Sequence, residues 1–288
     1  MVTGNLDAWV ANAKLRLYLT SCRRLACRRV VANERRGEMM EKKPSVGLFV
    51  TCLADVMRPS VAFAAIHLLE AAGADVHVPE AQTCCGQPAF NSGADAPARA
   101  IACQVIEAFQ RFDYVVAPSG SCAGMIKTHY AALFENAPDW ALRHEELAAK
   151  TYELTQFLHD VMGWRPDGVA LNAKAAYHDS CSGLRELGVK RQPRALLAGV
   201  EGLELTPLVG EEACCGFGGA FCVKYPEISN AIVADKARAI EATGADLLLA
   251  GDLGCLMNMA GKLSRAGSRV KCFHVAEALA GMAEGDGI

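Results

Sequence analysis

The chain has 288 residues, 52% of them apolar and 21% charged, with a formal net charge of −3 and 13 cysteines. That length supports one large domain or two ordinary ones, and the balance of apolar to charged residues excludes a disordered, collagen-like or low-complexity chain. No run approaches the roughly 18 apolar residues of a membrane helix, and the N-terminus lacks the apolar core and small-residue cleavage site of a secretory signal.

A cytoplasmic location is therefore expected, and in that reducing compartment thirteen cysteines point to metal or redox duty rather than disulfides. Residues 1–43 read as a basic N-terminal extension, with ten Lys/Arg against four Asp/Glu and the pairs Arg23-Arg24, Arg28-Arg29 and Arg35-Arg36. Such a segment could be a nucleic-acid or membrane arm, a transit segment, or coding sequence added by a start codon placed too early. The last is expected, because Met39-Met40 directly precedes Glu41-Lys42-Lys43-Pro44 and the first clear strand. The remaining 245 residues hold 19 Lys/Arg against 28 Asp/Glu and offer no basic footprint for nucleic acid.

From residue 44 onward, short apolar runs bounded by turn residues predict buried strands, and the stretches between them carry helical periodicity. A strand at 46–50 leads to Cys52, followed by a helix at 60–72, a strand at 75–78, Cys84-Cys85-Gly86, a helix at 96–111, and a strand at 114–117 leading to Cys122. A helical stretch at 144–161 and the connector at 163–168 then lead to a second unit. That unit has a strand at 175–178 leading to Cys181, a helix at 193–198, a strand at 203–208, Cys214-Cys215-Gly216, a helix at 226–243, and a strand at 246–250 leading to Cys255.

The two units share three landmarks in one order, at offsets of 129, 130 and 133 residues. Each reads Cys, 31 or 32 residues, Cys-Cys-Gly, 35 or 38 residues, Cys. One vicinal pair could arise by chance, but two such tripeptides flanked alike could hardly do so, and duplication is the simplest account. The expected fold is α/β: two pseudo-symmetric parallel-sheet domains from an internal duplication, at 44–170 and 171–288. In open parallel sheets ligands bind beyond the carboxyl ends of strands, where the outer cysteines fall.

Four thiolates per unit suit tetrahedral zinc or a four-iron cluster. Adjacent cysteines can hardly both chelate one small ion without backbone strain, whereas they can reach two irons of a wider cluster. The vicinal pairs thus favour iron-sulfur, with one cluster per domain on Cys52, Cys84, Cys85, Cys122 and on Cys181, Cys214, Cys215, Cys255. Glycines beside these residues, including Gly86 and Gly216, could bring backbone amides close to the sulfurs.

Other residues are candidates of lower rank. His178 could be a ligand or proton carrier, Asp179 stands beside it, and Arg185 and Arg58 could bind a carboxylate or balance cluster charge. Cys22, Cys27, Cys103, Cys222 and Cys272 are expected to pack or be incidental, with Cys222 the nearest to an exception. The remaining histidines show no metal-type spacing. No dinucleotide fingerprint, phosphate-cradling loop or serine-nucleophile elbow is present. The compact ferredoxin-type spacing is missing too, so electrons would enter or leave through another subunit. Two other classes stay open, a thiol-disulfide reductase and a non-catalytic assembly protein with structural zinc.

The segments Cys84-Cys85-Gly86-Gln87-Pro88-Ala89-Phe90-Asn91-Ser92-Gly93, Ser119-Gly120-Ser121-Cys122, His178-Asp179-Ser180-Cys181, Leu184-Arg185-Glu186-Leu187-Gly188 and Cys214-Cys215-Gly216-Phe217-Gly218-Gly219 closely resemble the lactate utilisation protein A family of cysteine-rich CCG-domain proteins. Its relatives include the B subunit of heterodisulfide reductase and the iron-sulfur subunit of glycolate oxidase. The resemblance covers roughly residues 45–282. It implies a subunit of a bacterial system oxidising L-lactate, or a related 2-hydroxy acid, to pyruvate. It also implies companion subunits, one of them ferredoxin-like. The heterodisulfide reductase relative completes each unit with a fifth cysteine in Cys-x-x-Cys. Here Met125 and Asn258 hold those places, so four-cysteine [4Fe-4S] ligation is the expectation.

Overall fold

The computed structural model describes residues 43–288, so nearly all of the basic extension, with Cys22 and Cys27, lies outside the described residues. Two four-stranded sheets, every strand parallel to its neighbours, stand among helices. In the first half, β1 (Ser45–Leu48) leads to α1 (Cys52–Met57) and α2 (Ser60–Ala71), and β2 (Asp75–His77) leads to α3 (Asp95–Phe109). Then come β3 (Tyr114–Ala117), α4 (Gly120–Gly124), α5 (Pro138–Ala149) and β4 (Thr151–Glu153).

The second half repeats this with β5 (Ala170–His178), α6 (Cys181–Leu187), α7 (Arg191–Leu197), β6 (Glu201–Thr206), α8 (Pro226–Ala242), β7 (Leu247–Ala250), α9 (Leu253–Arg265), β8 (Lys271–His274) and α10 (Val275–Leu279). The strand orders, β2-β1-β3-β4 and β6-β5-β7-β8, are one order written twice. The expected α/β fold of two similar parallel-sheet halves is thus the observed one.

The central strands are buried on both faces, which is why they read as unbroken apolar runs. Side chains alternate across each strand: Val46, Leu48 and Val116 join Ala175, Tyr177, Leu247 and Leu249 in one core shared by both halves. The opposite faces pack separately, Val115 and Ala117 with Phe109 in the first half, Leu248 and Ala250 with Leu256 in the second.

Two strands, β4 and β8, were not expected. The predicted helix at 144–161 is instead α5, then β4, then a helical stretch from Leu154 that widens into a π turn at Phe157–Val161. The Lys150 ammonium donates to the carbonyls of Gln110 and Phe112, and the three residues after it pair with β3, Val115 to Thr151 through Ala117 to Glu153. The fourth strand of the second sheet, β8, was not expected either. Residues 170–174 extend β5 five positions earlier than predicted, because they alternate half-buried and exposed and pair with β6 at the sheet edge. Among the described residues no helix is long and apolar enough to cross a membrane.

Polar contacts tie the halves together. The Arg58 guanidinium donates to Glu277 at 2.8 and 3.1 Å and to the Gly287 carbonyl at 2.7 Å. Arg58 does bind a carboxylate, one from its own chain. The Asp252 carboxylate accepts from Ser119 Oγ at 3.1 Å and from the Ser121 amide at 3.0 Å. Gly120 and Gly183 let α4 and α6 approach until a Cβ on Gly120 would lie 2.8 Å from the Gly183 Cα.

Glu153, at the end of β4, is fully buried; one oxygen accepts from Thr155 Oγ1 and the Gln156 amide, and the other has no partner. Burial raises its pKa to about 7. A carboxyl whose folded pKa lies above its unfolded value loses stability for the fold as pH rises from the unfolded pKa to the folded one. Glu153→Gln should therefore gain about 3 kcal/mol over the natural protein at pH 8 but under about 1 kcal/mol at pH 5. Denaturant unfolding at the two pH values checks this, and an equal effect at both would refute it.

Candidate metal centres

Each outer cysteine rides on the first turn of a helix leaving a central strand. Thr51 Oγ1 caps α1, accepting from the Ala54 amide, and Ser180 Oγ caps α6, accepting from the Gly183 amide. Ser119 Oγ caps α4, accepting from the Cys122 amide itself, and Asp252 caps α9, accepting from the Gly254 amide. Cys52 and Cys181 thereby become first helical residues, and Cys122 and Cys255 third ones. The partial positive charge of a helix N-terminus favours a thiolate at such positions.

Because β1 neighbours β3, and β5 neighbours β7, the two outer cysteines of each half stand side by side. The vicinal pair enters from the loop after β2 or β6. There Gly86 and Gly216 adopt left-handed backbone, φ +82° and +81°, and their amides donate to Cys84 Sγ at 3.4 Å and Cys214 Sγ at 3.3 Å. A Cβ on Gly216 would sit 2.7 Å from the Ser229 carbonyl oxygen, so only glycine fits that turn.

All eight predicted cysteines are brought together, four per half, as free thiols. In the first half Cys52 Sγ lies 3.9 Å from Cys84 Sγ, Cys84 also bonds Cys85, and Cys85 bonds Cys122. The second half runs in the same order, Cys181 to Cys214 to Cys215 to Cys255. These contacts polarise the set. The Cys52 thiol, then the Cys85 thiol, lower the Cys84 pKa to about 3, and Cys181 with Cys215 lowers that of Cys214 to about 2. Cys52, Cys181 and Cys215 are pushed up, chiefly by donating those same bonds, and Cys85 is pushed up chiefly by its bond with Cys122 and then by that with Cys84. Cys85 and Cys215 are buried, whereas Cys52 and Cys214 are exposed, so each cage opens to its surroundings on one side.

Met125 and Asn258, at the places where a fifth cysteine would complete Cys-x-x-Cys, do different work. Met125 is fully buried in the first half's outer core. Asn258 Nδ2 donates to the Cys215 carbonyl at 2.8 Å, and Tyr130 Oη makes the matching bond to the Cys85 carbonyl at 2.8 Å. Tyr130 gave no signal in the sequence, because an aromatic residue in a helical pattern reads as core.

The weaker candidates separate clearly. Asp179 is engaged by Arg194, two bonds of 2.8 Å, and is occupied as an ion-pair partner. Arg185 is exposed on α6, and its charge acts to lower the Cys181 pKa. Cys222 donates to the Gly219 carbonyl, Cys103 is half-buried on α3, and Cys272 is buried with its thiol pushed up to about 12.

His178 is different. It ends β5 three residues before Cys181, as Phe49 stands three residues before Cys52. One ring nitrogen of His178 and the sulfurs of Cys215 and Cys255 lie within 4.8 Å of one another. Burial, helped by the charge of Lys236, lowers the imidazole pKa to about 3. Lys236, itself buried, donates to the carbonyls of Gly210 and Glu211. Sequence spacing gave no hint of this lysine, which sits mid-helix in α8.

The sequence matches the family model of the CCG cysteine-rich domain twice, over residues 46–127 and 175–260. It is 50% identical over 235 residues to lactate utilization protein A of Shouchella clausii, spanning 82% of this chain and 98% of that protein. To lactate utilization protein A of Bacillus subtilis it is 47% identical over 234 residues, 81% of this chain and 98% of that protein. The crystal structure of a hypothetical protein from Helicobacter pylori superposes over 85% of this chain with a TM-score of 0.60 at 13% identity, a likeness of fold alone. The chain spans half the length of that protein.

Proposed function

This chain belongs to the lactate utilization protein A family of CCG cysteine-rich proteins, and on that footing we propose that it is an iron-sulfur subunit of a system oxidising L-lactate to pyruvate. Cys52, Cys84, Cys85 and Cys122 would hold one [4Fe-4S] cluster, and Cys181, Cys214, Cys215 and Cys255 the other. The carrying observation is the two chains of four contacting sulfurs, alike in order and in the helix ends and glycine amides around them. Such a site fits the group: its donors are all soft sulfurs, drawn from three loops, with none tied up in a disulfide.

Clusters held there would supply one-electron redox capacity between companion subunits, one of them ferredoxin-like, that act on the 2-hydroxy acid. The chain's own residues prepare the sites. Helix N-termini and the Gly86 and Gly216 amides stabilise negative sulfur, while the buried second cysteine of each pair keeps water from the inner side. A cytoplasmic location suits such exposed thiols. The exposure of Cys52 and Cys214 also favours a second reading, a reductase whose thiolates attack a disulfide.

Metal analysis separates these readings from each other and from structural zinc. Protein purified without oxygen should carry about eight iron and eight acid-labile sulfide per chain, with a paramagnetic signal that grows when lactate and the companion subunits are added. One zinc per half, with no iron or sulfide, would overturn the reading; disulfide reduction by the metal-free protein would favour the second.

A further inference from the structure

The two cages are alike in thiols but not in what stands behind them. Just past the end of β1 the side chain is Phe49, its ring centroid 5.5 Å from that of Phe109. At the matching end of β5 it is His178, fully buried, with neither ring nitrogen in a hydrogen bond of normal geometry. Among the described residues it is the one imidazole with both nitrogens buried and neither in a hydrogen bond of normal geometry, the Glu211 backbone being the polar group that comes nearest to making one. His274, similarly buried, uses Nδ1 to accept from the Ala276 amide.

A buried polar ring that makes no hydrogen bond of normal geometry is costly to the fold, and such groups in native proteins call for an explanation. The carboxylates of Asp179 and Glu211 are turned to Arg194, and only the backbone of Glu211 lies against the ring. What the imidazole does have within reach is sulfur: a ring nitrogen, Cys215 Sγ and Cys255 Sγ lie within 4.8 Å of one another. Imidazole is a ligand for the metals that thiolates take, and histidine ligates iron in some iron-sulfur centres, where it raises the reduction potential.

We infer that His178 is a donor to the second centre, which offers four thiols and one imidazole, the imidazole taking one iron in place of a thiol, while the first offers four thiols only. This rests on the reading that the cages hold iron-sulfur clusters. It makes the two centres electronically distinct, with the second easier to reduce. Phe49 shows that the fold accepts an aromatic carbon ring at this position, so His178→Phe gives the second half the first half's residue.

The test is pulsed paramagnetic resonance on the reduced, oxygen-free full chain, with histidine labelled by ¹⁵N. The expected result is a strong ¹⁵N coupling of a metal-bound imidazole, lost in His178→Phe and in His178→Gln, while the first centre's signal is unchanged. A merely structural histidine would give no such coupling. Full iron and sulfide without histidine coupling, or a coupling that persists in both variants, would overturn the inference and leave the cluster reading standing. Should His178→Phe fail to fold, the labelled natural protein alone still decides. Protein with neither iron nor sulfide would overturn both.

Discussion

Replacing Cys84 by serine should strip the first centre and spare the second, and replacing Cys214 should do the reverse. Each single variant is expected to keep about half of the iron and sulfide of the natural protein, and the double variant almost none. Cys84 and Cys214 are the sulfurs to remove, because each touches two others, Cys52 and Cys85 in one cage, Cys181 and Cys215 in the other. Each also receives a glycine amide. Both lie in loops outside the strands and are less buried than their vicinal neighbours, so the sheets should persist and circular dichroism should stay unchanged. Cys222→Ser and Cys103→Ser, which alter thiols outside the cages, should retain full content. Iron and sulfide assay with quantified resonance spectra checks all of these, and a full complement in both Cys84→Ser and Cys214→Ser would refute the ligand assignment.

Arg58→Ala should cost about 3–5 kcal/mol of stability, the range for removing one partner of a buried ion pair. The loss is large because Glu277 is fully buried and would keep its charge, or take up a proton, against its remaining donors, Ser60 Oγ at 2.6 Å and the His274 amide at 2.9 Å. Arg58→Lys keeps a charge but loses the two-pronged contact and the bond to Gly287, so it should fall between the two. Replacing both partners by apolar residues, Arg58→Met with Glu277→Leu, should recover most of the loss, because the desolvation penalty leaves with the charges. Urea unfolding of the three variants measures this, and a loss under about 1 kcal/mol in Arg58→Ala would show the pair to be no more than a surface contact.

The duplication and its consequences were legible in the sequence because they rest on local signals. A strand buried on both faces must be apolar throughout, so β3 and β7 stand out, and a cysteine just past each such strand marks a ligand position by topology alone. The strands β4 and β8 were not legible. Thr151-Tyr152-Glu153 carries no alternation, and its identity as a strand comes from β3, more than thirty residues away. β8 begins with an exposed lysine and is recognisable only beside β7. The same limit hid the groups behind the sulfurs. Lys236 and Tyr130 reach the cages through the packing of whole helices, and Arg58 meets its partner 219 positions on. His178 was visible as a candidate through its closeness to Cys181, but the comparison with Phe49 acquires meaning only when both strands are seen in one topology.

That span between Arg58 and Glu277 also bears on how the molecule comes into being. When the ribosome has finished the first sheet, Arg58 has no counter-ion and the shared apolar layer has no opposite face, since Tyr177, Leu249 and Leu279 are still untranslated. The nascent first half should thus stay loosely formed until α10 arrives to complete the shared layer and the ion pair.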